Sequence, residues 1–178
     1  VDHPDTASVK RRRLQSAGAD LNKVSFVAVD FEIDDFDTRL REAGFDATRR
    51  SIVVWEGVSQ YLTGEAVCRV MRWAGRLAKG SRFIFTYVHE GVLDGTVAFE
   101  GAYKAIARVS GSGEPWRFGL LPGELPAFLR ERGLKLVSDL DANEYREKVM
   151  GAAGRCMQGY GFYHTVLCLL YTSDAADD

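Results

Sequence analysis

The sequence predicts an α/β fold built on a mostly parallel sheet that ends in an antiparallel hairpin. The clearest strand is Ile52–Trp55, a continuous run of β-branched and aromatic residues that is typical of a strand buried on both faces. Similar runs at residues 24–29 and 82–88 alternate with helical patterns and short loops, which predicts right-handed crossovers between parallel strands. The last two predicted strands, at residues 134–137 and 162–171, suit a terminal hairpin.

The connecting helices are predicted from the spacing of apolar residues and from residues that begin or end helices. Thr6 and Thr63 can cap the helices that follow them, and Gly18 ends the first helix. Asp34 and Asp35 begin another helix. In chain order, the predicted helices cover residues 6–17, 34–43, 65–77, 97–109, 125–132 and 143–150.

The composition is that of one globular domain. The 178 residues are 46% apolar and 27% charged, with a formal net charge of −2, which gives no argument for binding nucleic acid or an anionic membrane. No apolar stretch approaches transmembrane length and no signal-peptide pattern is seen, so we expect a cytoplasmic location. We assign residues 1–171 to the domain and regard residues 172–178, which are polar and patternless, as a tail of non-native appearance.

The cysteines and histidines predict neither a metal site nor a catalytic pair. The three cysteines lie far apart without metal-ligand spacing, which fits reduced thiols, and the three histidines are also scattered. We therefore expect no metal and no histidine-centred nucleophile–base pair. These residues are Cys68, Cys156, Cys168, His3, His89 and His164.

Three carboxylates, Asp2, Asp30 and Glu56, lie at the C-terminal ends of successive predicted strands. Because such ends line one rim of a doubly wound sheet, we expect the three side chains to face one crevice. Carboxylates there can accept hydrogen bonds from ribose hydroxyls or an adenine amino group, or pair with an ammonium. The rim thus favours an adenosyl ligand over a polyphosphate, and no G-x-x-x-x-G-K loop is seen. For Glu56 alone, a strand end that faces water is an equally good interpretation.

A second segment of interest is residues 114–120, in which Arg117 lies between Trp116 and Phe118. A guanidinium can hold a substrate anion through two hydrogen bonds. A loop held to the core by its aromatic residues explains the same pattern and is the simpler interpretation.

Five sequence blocks occur in order along residues 1–170: VDHPDTASVKRRRL, VAVDFE, VVWEGVSQYLT, SRFIFTYV and GEPWRFGL. Together they resemble the bacterial branch of the leucine carboxyl methyltransferase family, whose members use S-adenosylmethionine. The resemblance implies a Rossmann-like class I methyltransferase sheet, mostly parallel, with S-adenosylmethionine as the cofactor.

The resemblance also implies the cofactor-binding residues. Asp2 matches the acidic residue that binds the ribose hydroxyls, and Asp30 with Phe31 matches the pair beside the adenine. Glu56, followed by Gly57, matches the acidic residue near the methionine part of the cofactor.

On the substrate side, Tyr61 lies where the family places a tyrosine, and it is our catalytic and substrate-binding candidate. Arg117 is a second substrate-binding candidate, to which the resemblance assigns no role.

The chain departs from the family because the glycine-rich loop and the arginine on the cofactor carboxylate would both lie before Val1. The expected fold is therefore the family sheet lacking its first central strand. Since this loss would expose strand edges and core, we expect these 178 residues alone to bind cofactor poorly and to be inactive.

The expected activity of the intact protein is O-methylation of a carboxylate or hydroxyl of a small molecule. A carboxylate is ionised at neutral pH and needs no general base, whereas a hydroxyl needs one, for which His89 and Tyr61 are the candidates. Two alternatives stay open: an NAD-dependent oxidoreductase, because Asp2 also suits an NAD ribose, and a non-catalytic adenosyl-ligand-binding module. The oligomeric state is not predicted.

Overall fold

The computed structural model describes residues 1–111 and 113–170, with Arg155 described by its backbone alone. The chain divides into two compact units, Val1–Asp46 and the residues from Ala47 onward, each of which is described by itself. The tail at residues 172–178 and the last residue of the predicted final strand lie outside the described residues.

The first unit contains two helices, α1 (Pro4–Ser16) and α2 (Phe36–Glu42). α1 begins with proline at its first position, where a missing N–H costs no helical hydrogen bond. α2 begins as predicted, because the carboxylate of Asp35 accepts hydrogen bonds from the backbone N–H and the hydroxyl of Thr38.

The strand predicted at residues 24–29 is reduced to an isolated parallel bridge between Asp2 and Ala28. Val29 is fully buried, whereas Val24 is 49% exposed. The prediction of a continuous buried strand is wrong because the segment around Asp2 offers it too short a pairing partner.

The second unit is built on four strands: β1 (Ile52–Trp55), β2 (Arg82–Val88), β3 (Leu134–Asp141) and β4 (Tyr163–Leu170). Their order in the sheet is β1-β2-β4-β3. β1 and β2 are parallel, and β4 is antiparallel to both β2 and β3. The α/β fold class and the terminal hairpin are confirmed.

Four helices accompany this sheet: α3 (Gly64–Ala74), α4 (Ala102–Gly111), α5 (Leu125–Arg130) and α6 (Ala142–Lys148). α3 begins where predicted, since the hydroxyl of Thr63 accepts a hydrogen bond from the N–H of Ala66. α6 begins with a reciprocal cap, in which Asp141 accepts from the N–H of Glu144 while the Glu144 carboxylate accepts from the N–H of Asp141.

Much of the core lies against one face of the sheet. Phe83, Phe85 and Tyr87 of β2 are fully buried, with successive ring centroids 5.4 and 6.2 Å apart. On the other face, Ile52 and Val54 remain 69% and 61% exposed. The prediction that β1 is buried on both faces is therefore wrong, because alternate residues of a strand point to opposite faces and the described residues leave one face of β1 uncovered. On that same side of the sheet, Val88 of β2 is fully buried in a cluster with Val92 and Phe162.

Candidate functional site

The rim of the second unit forms where β1 and β2 end. Glu56 and Gly57 follow β1, and the backbone N–H of Gly57 donates a hydrogen bond to Oγ1 of Thr86 at 2.8 Å. Gly57 has a φ of +69°, a left-handed conformation that favours glycine. Glu56 is exposed and makes no hydrogen bond or ion pair with the described residues. Both interpretations of Glu56 fit this exposure, and its role in cofactor binding stays a prediction.

A short 3-10 helix after the rim connects it to the loop around Arg117. The hydroxyl of Ser59, which is fully buried, donates to the carbonyl oxygen of Thr86 at 2.7 Å. The carbonyl oxygen of Gln60 accepts a hydrogen bond from the N–H of Arg117 at 2.7 Å. The segment that carries Tyr61 and the loop that carries Arg117 are therefore neighbours.

The loop around Arg117 is held by aromatic packing. Trp116 meets Phe162 and Tyr163 edge-on, with ring centroids 5.9 and 5.6 Å away. Arg117 itself is exposed, and Tyr61 is half-buried. These contacts support the interpretation of a loop pinned to the core, and the substrate-side roles of Tyr61 and Arg117 stay predictions.

A cavity of about 300 Å³ opens beside Glu56. Its wall is formed by the ends of β1 and β2, the start of β4, α6 and the loop before β4. The lining residues include two charged residues, Glu56 and Arg146, together with His164, Tyr145 and Tyr163. The volume lies at the lower end of the range for small-molecule sites.

Three strands bring Tyr87, Asp139 and His164 together, and His164 is also one of the residues that line the cavity. Nδ1 of His164 lies 3.0 Å from Oδ1 of Asp139, and the hydroxyl of Tyr87 donates to Oδ2 of Asp139 at 2.8 Å. The imidazole of His164 stacks on the ring of Tyr87 with centroids 4.7 Å apart. The side chains of His164 and Asp139 are only 11% and 14% exposed. Burial and the Asp139 carboxylate raise the pKa of Tyr87, so its hydroxyl stays protonated.

This cluster was not predicted from the sequence, in which the histidines are scattered. Asp139 and His164 are 25 residues apart in the sequence and meet because β3 and β4 pair antiparallel. A register shift between Leu136 and Ser138 places Asp139 opposite Val166. The predicted strand ended before Asp139, so the pairing was missed, and the acidic residues that continue the strand to Asp141 were the available signal.

His89, a predicted base candidate, has a structural contact. Its Nδ1 accepts a hydrogen bond from the N–H of Gly91 at 3.0 Å, and its ring packs against Phe99. Burial, followed by the charge of His164, lowers the pKa of His89. His89 is thereby held neutral in a capping role.

In the first unit, both predicted carboxylates already have partners. Nζ of Lys10 lies 2.9 and 2.8 Å from the two carboxylate oxygens of Asp2. Oδ1 of Asp30 accepts a hydrogen bond from the N–H of Glu32 at 2.9 Å, and Oδ2 lies 3.9 Å from Nε2 of His3. The Asp2 and Asp30 side chains keep 22% and 31% exposure, so a ligand can still reach them.

Phe31, the predicted neighbour of the adenine, is half-buried and packs against Phe36 with ring centroids 5.6 Å apart. Asp2, Asp30 and Phe31 belong to the first unit, whereas Glu56 belongs to the second. The convergence of the three carboxylates on one ligand therefore stays a prediction.

Two kinds of feature are absent from the described residues. Within residues 1–111 and 113–170, no helix combines the length and apolar character needed to cross a membrane. In the same ranges, no group of three or more His, Cys, Asp or Glu side chains could hold a metal ion.

Residues 1–75 match the leucine carboxyl methyltransferase family. This match supports the family predicted from the sequence. Over 84 residues, the chain is 36% identical to a protein of Mycolicibacterium gilvum (strain PYR-GCK) that is provisionally named an S-adenosyl-L-methionine-dependent methyltransferase. That alignment covers 46% of this chain and 27% of the relative, so the chain matches about a quarter of the relative's length.

Solved methyltransferase structures share the fold. A DUF574 family protein from Streptomyces avermitilis MA-4680 has a TM-score of 0.66 at 14% identity, over 96% of this chain and 63% of that chain. An O-methyltransferase family protein from Burkholderia thailandensis has a TM-score of 0.59 at 11% identity, over 97% of this chain and 43% of that chain. The mitomycin 7-O-methyltransferase MmcR has a TM-score of 0.57 at 15% identity, over 95% of this chain and 40% of that chain. The chain has the Rossmann-like fold of class I methyltransferases.

Proposed function

We propose that this chain is part of an S-adenosylmethionine-dependent O-methyltransferase that acts on a carboxylate or hydroxyl of a small molecule. The family match over residues 1–75 and the fold support methyl transfer. The observation that carries the proposal is Glu56, an exposed carboxylate without a partner among the described residues, on the wall of a cavity at the end of β1. Ligands of open α/β sheets bind beyond the carboxyl ends of the strands.

The residues present fit the proposed cofactor to different degrees. Glu56 offers an unpaired carboxylate to the ammonium of its methionine part. Asp30 would accept from the adenine amino group, beside Phe31. Asp2 fits less simply, because Lys10 contacts both of its oxygens and the ribose would have to share the carboxylate with that ammonium.

When bound, the cofactor supplies a methyl group on a positively charged sulfur atom. The task of the protein is then to align the acceptor and exclude water, and correct orientation alone removes a large part of the barrier. Acceptors with a carboxylate are already ionised at neutral pH, whereas acceptors with a hydroxyl must lose a proton.

Isothermal titration of the full-length protein tests the proposal with two ligands, S-adenosylhomocysteine and NADH. We expect S-adenosylhomocysteine to bind and NADH not to bind. The reverse preference would contradict the proposal and favour the oxidoreductase.

A labelled-cofactor assay separates the enzyme from the binding module. We expect transfer of the labelled methyl group to at least one member of a library of acids and hydroxyl compounds. Binding of S-adenosylhomocysteine without any transfer would favour a non-catalytic adenosyl-binding protein. The inactivity of the 178 residues alone stays a prediction.

A further inference from the structure

Gln60, in the short 3-10 helix after β1, carries a buried side-chain amide without a partner. The residue is only 5% exposed. Its backbone carbonyl oxygen accepts from the N–H groups of Arg117 and Phe118, but its side-chain amide makes no hydrogen bond with the residues that the structure describes. Burial of an amide without hydrogen bonds costs free energy, so a native protein that keeps one needs a reason to do so.

The cavity beside Glu56 offers a place for the missing partner, because Gln60 is one of the residues that line it. A glutamine side chain has an oxygen that accepts hydrogen bonds and an NH₂ group that donates them. A single ligand group can satisfy both only if it also donates and accepts.

The sheet contributes neutral hydroxyl groups to the same cavity. Thr86, Tyr163 and Thr165 line it, and the register of β2 against β4 places their side chains on one face of the sheet. The Thr86 hydroxyl accepts one backbone hydrogen bond, and the Thr165 hydroxyl has no partner among the described residues. Burial, followed by the nearby Tyr61 and Tyr160, raises the pKa of Tyr163 to about 12, so this hydroxyl is uncharged at neutral pH.

The charged residues of the cavity do not favour an anion. Glu56 would repel one, because it is itself a carboxylate. Arg146 also lines the cavity, but its Nε donates to the carbonyl oxygen of Gly154 at 3.1 Å, and its Nη1 lies 3.4 Å from Oδ1 of Asn143. Asn143 and Gly154 line a second cavity of about 430 Å³, so the guanidinium is engaged there.

We propose that Gln60 binds the methyl acceptor and that the acceptor is an uncharged molecule with a carboxamide group, an inference that rests on the proposed function. A carboxamide matches the Gln60 side chain, because each amide can donate one hydrogen bond to the other and accept one in return. A carboxylate offers acceptors alone, so it would leave the side-chain oxygen of Gln60 unpaired and bring a second negative charge near Glu56.

The first test needs no mutation and uses two probes of the same shape, benzamide and benzoate. Each is titrated into the full-length wild-type protein saturated with S-adenosylhomocysteine. We expect benzamide to bind about tenfold more tightly than benzoate, or better. Equal affinities, tighter binding of benzoate, or no measurable binding of benzamide would overturn the inference. A wild type that fails to bind S-adenosylhomocysteine contradicts the proposed function instead.

The second test removes the amide. Gln60→Met keeps a side chain of similar length, and we expect it to weaken benzamide binding about tenfold while the affinity for S-adenosylhomocysteine is unchanged. Gln15→Met, which alters an exposed glutamine of α1, should bind both ligands like the wild type. Unchanged benzamide affinity in Gln60→Met, or an equal loss of S-adenosylhomocysteine affinity, would show that Gln60 does not bind the acceptor.

Stability separates an amide that binds a ligand from one that holds the fold together. Because the Gln60 amide has no partner among the described residues, Gln60→Met without ligand should be at least as stable as the wild type in chemical denaturation. A clear loss of stability in Gln60→Met would mean that the amide has a structural role, and the inference would be wrong.

Discussion

The backbone N–H of Gly57 donates to the hydroxyl of Thr86 at 2.8 Å, which fixes the turn after β1 to the end of β2. Thr86→Val keeps the side-chain shape but removes the acceptor. We expect the free energy of unfolding to fall by about 0.5–1.5 kcal/mol, measured by chemical denaturation. Thr165→Val is the matched control, because Thr165 pairs with Thr86 across the sheet and its hydroxyl has no partner among the described residues. Equal losses in the two variants would contradict this role.

The reciprocal cap at the start of α6 gives a second prediction. Asp141 accepts hydrogen bonds from the N–H groups of Asn143 and Glu144, both at 2.8 Å. Asp141→Ala should lower the free energy of unfolding by about 1 kcal/mol, whereas Asp141→Asn keeps an acceptor and should cost much less. Thermal denaturation of the two variants checks this. If Asp141→Asn lost as much as Asp141→Ala, the cap would not be the cause.

Protonation of His89 should destabilise the fold. Its pKa is lowered by burial, so the unfolded chain takes up the proton at a higher pH than the folded protein does. The stabilisation is complete above the pKa of histidine in the unfolded chain, about 6.5. It is lost as the pH falls toward the lower pKa of His89 in the folded protein.

Denaturation midpoints between pH 7.5 and 5 measure this effect. His89→Gln keeps an acceptor for the N–H of Gly91 and should weaken the pH dependence, whereas the exposed His3→Gln should not. The same slope in His89→Gln and the wild type would contradict the assignment.

Gly75, directly after α3, marks a close approach of two backbone segments. A Cβ at this position would overlap the carbonyl group of Arg132. We therefore expect Gly75→Ala to lower the free energy of unfolding by about 1–3 kcal/mol in chemical denaturation. Gly111→Ala, where a Cβ would meet open space, is the control. Equal stability of the two variants would contradict this prediction, because it would show that the backbone near Gly75 shifts to make room for the methyl group.

Local patterns in the sequence predicted much of the second unit. Ile52–Trp55 and Arg82–Val88 are strands with the predicted bounds, because each is a compact apolar run with clear ends. Thr63 caps α3 as predicted, since capping depends on residues only three positions apart.

Features that depend on distant pairing were not predictable from local patterns. The exposure of Ile52 and Val54 depends on which elements cover the sheet, and apolar periodicity cannot show this. The Asp139–His164 contact depends on the register of β3 against β4, including its shift. The contact of Asp2 with Lys10 joins a residue before α1 to one eight positions later within that helix, and apolar periodicity gives no sign of it.

The most direct test of the account is the affinity of S-adenosylhomocysteine for the full-length protein and its carboxylate variants, measured by isothermal titration. If the predicted cofactor-binding carboxylates are correct, Asp30→Asn and Glu56→Gln should each weaken binding by about tenfold or more, the loss expected for one charged hydrogen bond. Glu42→Gln, which alters an exposed carboxylate at the end of α2, should bind like the wild type. Wild-type affinity in both Asp30→Asn and Glu56→Gln would contradict the account.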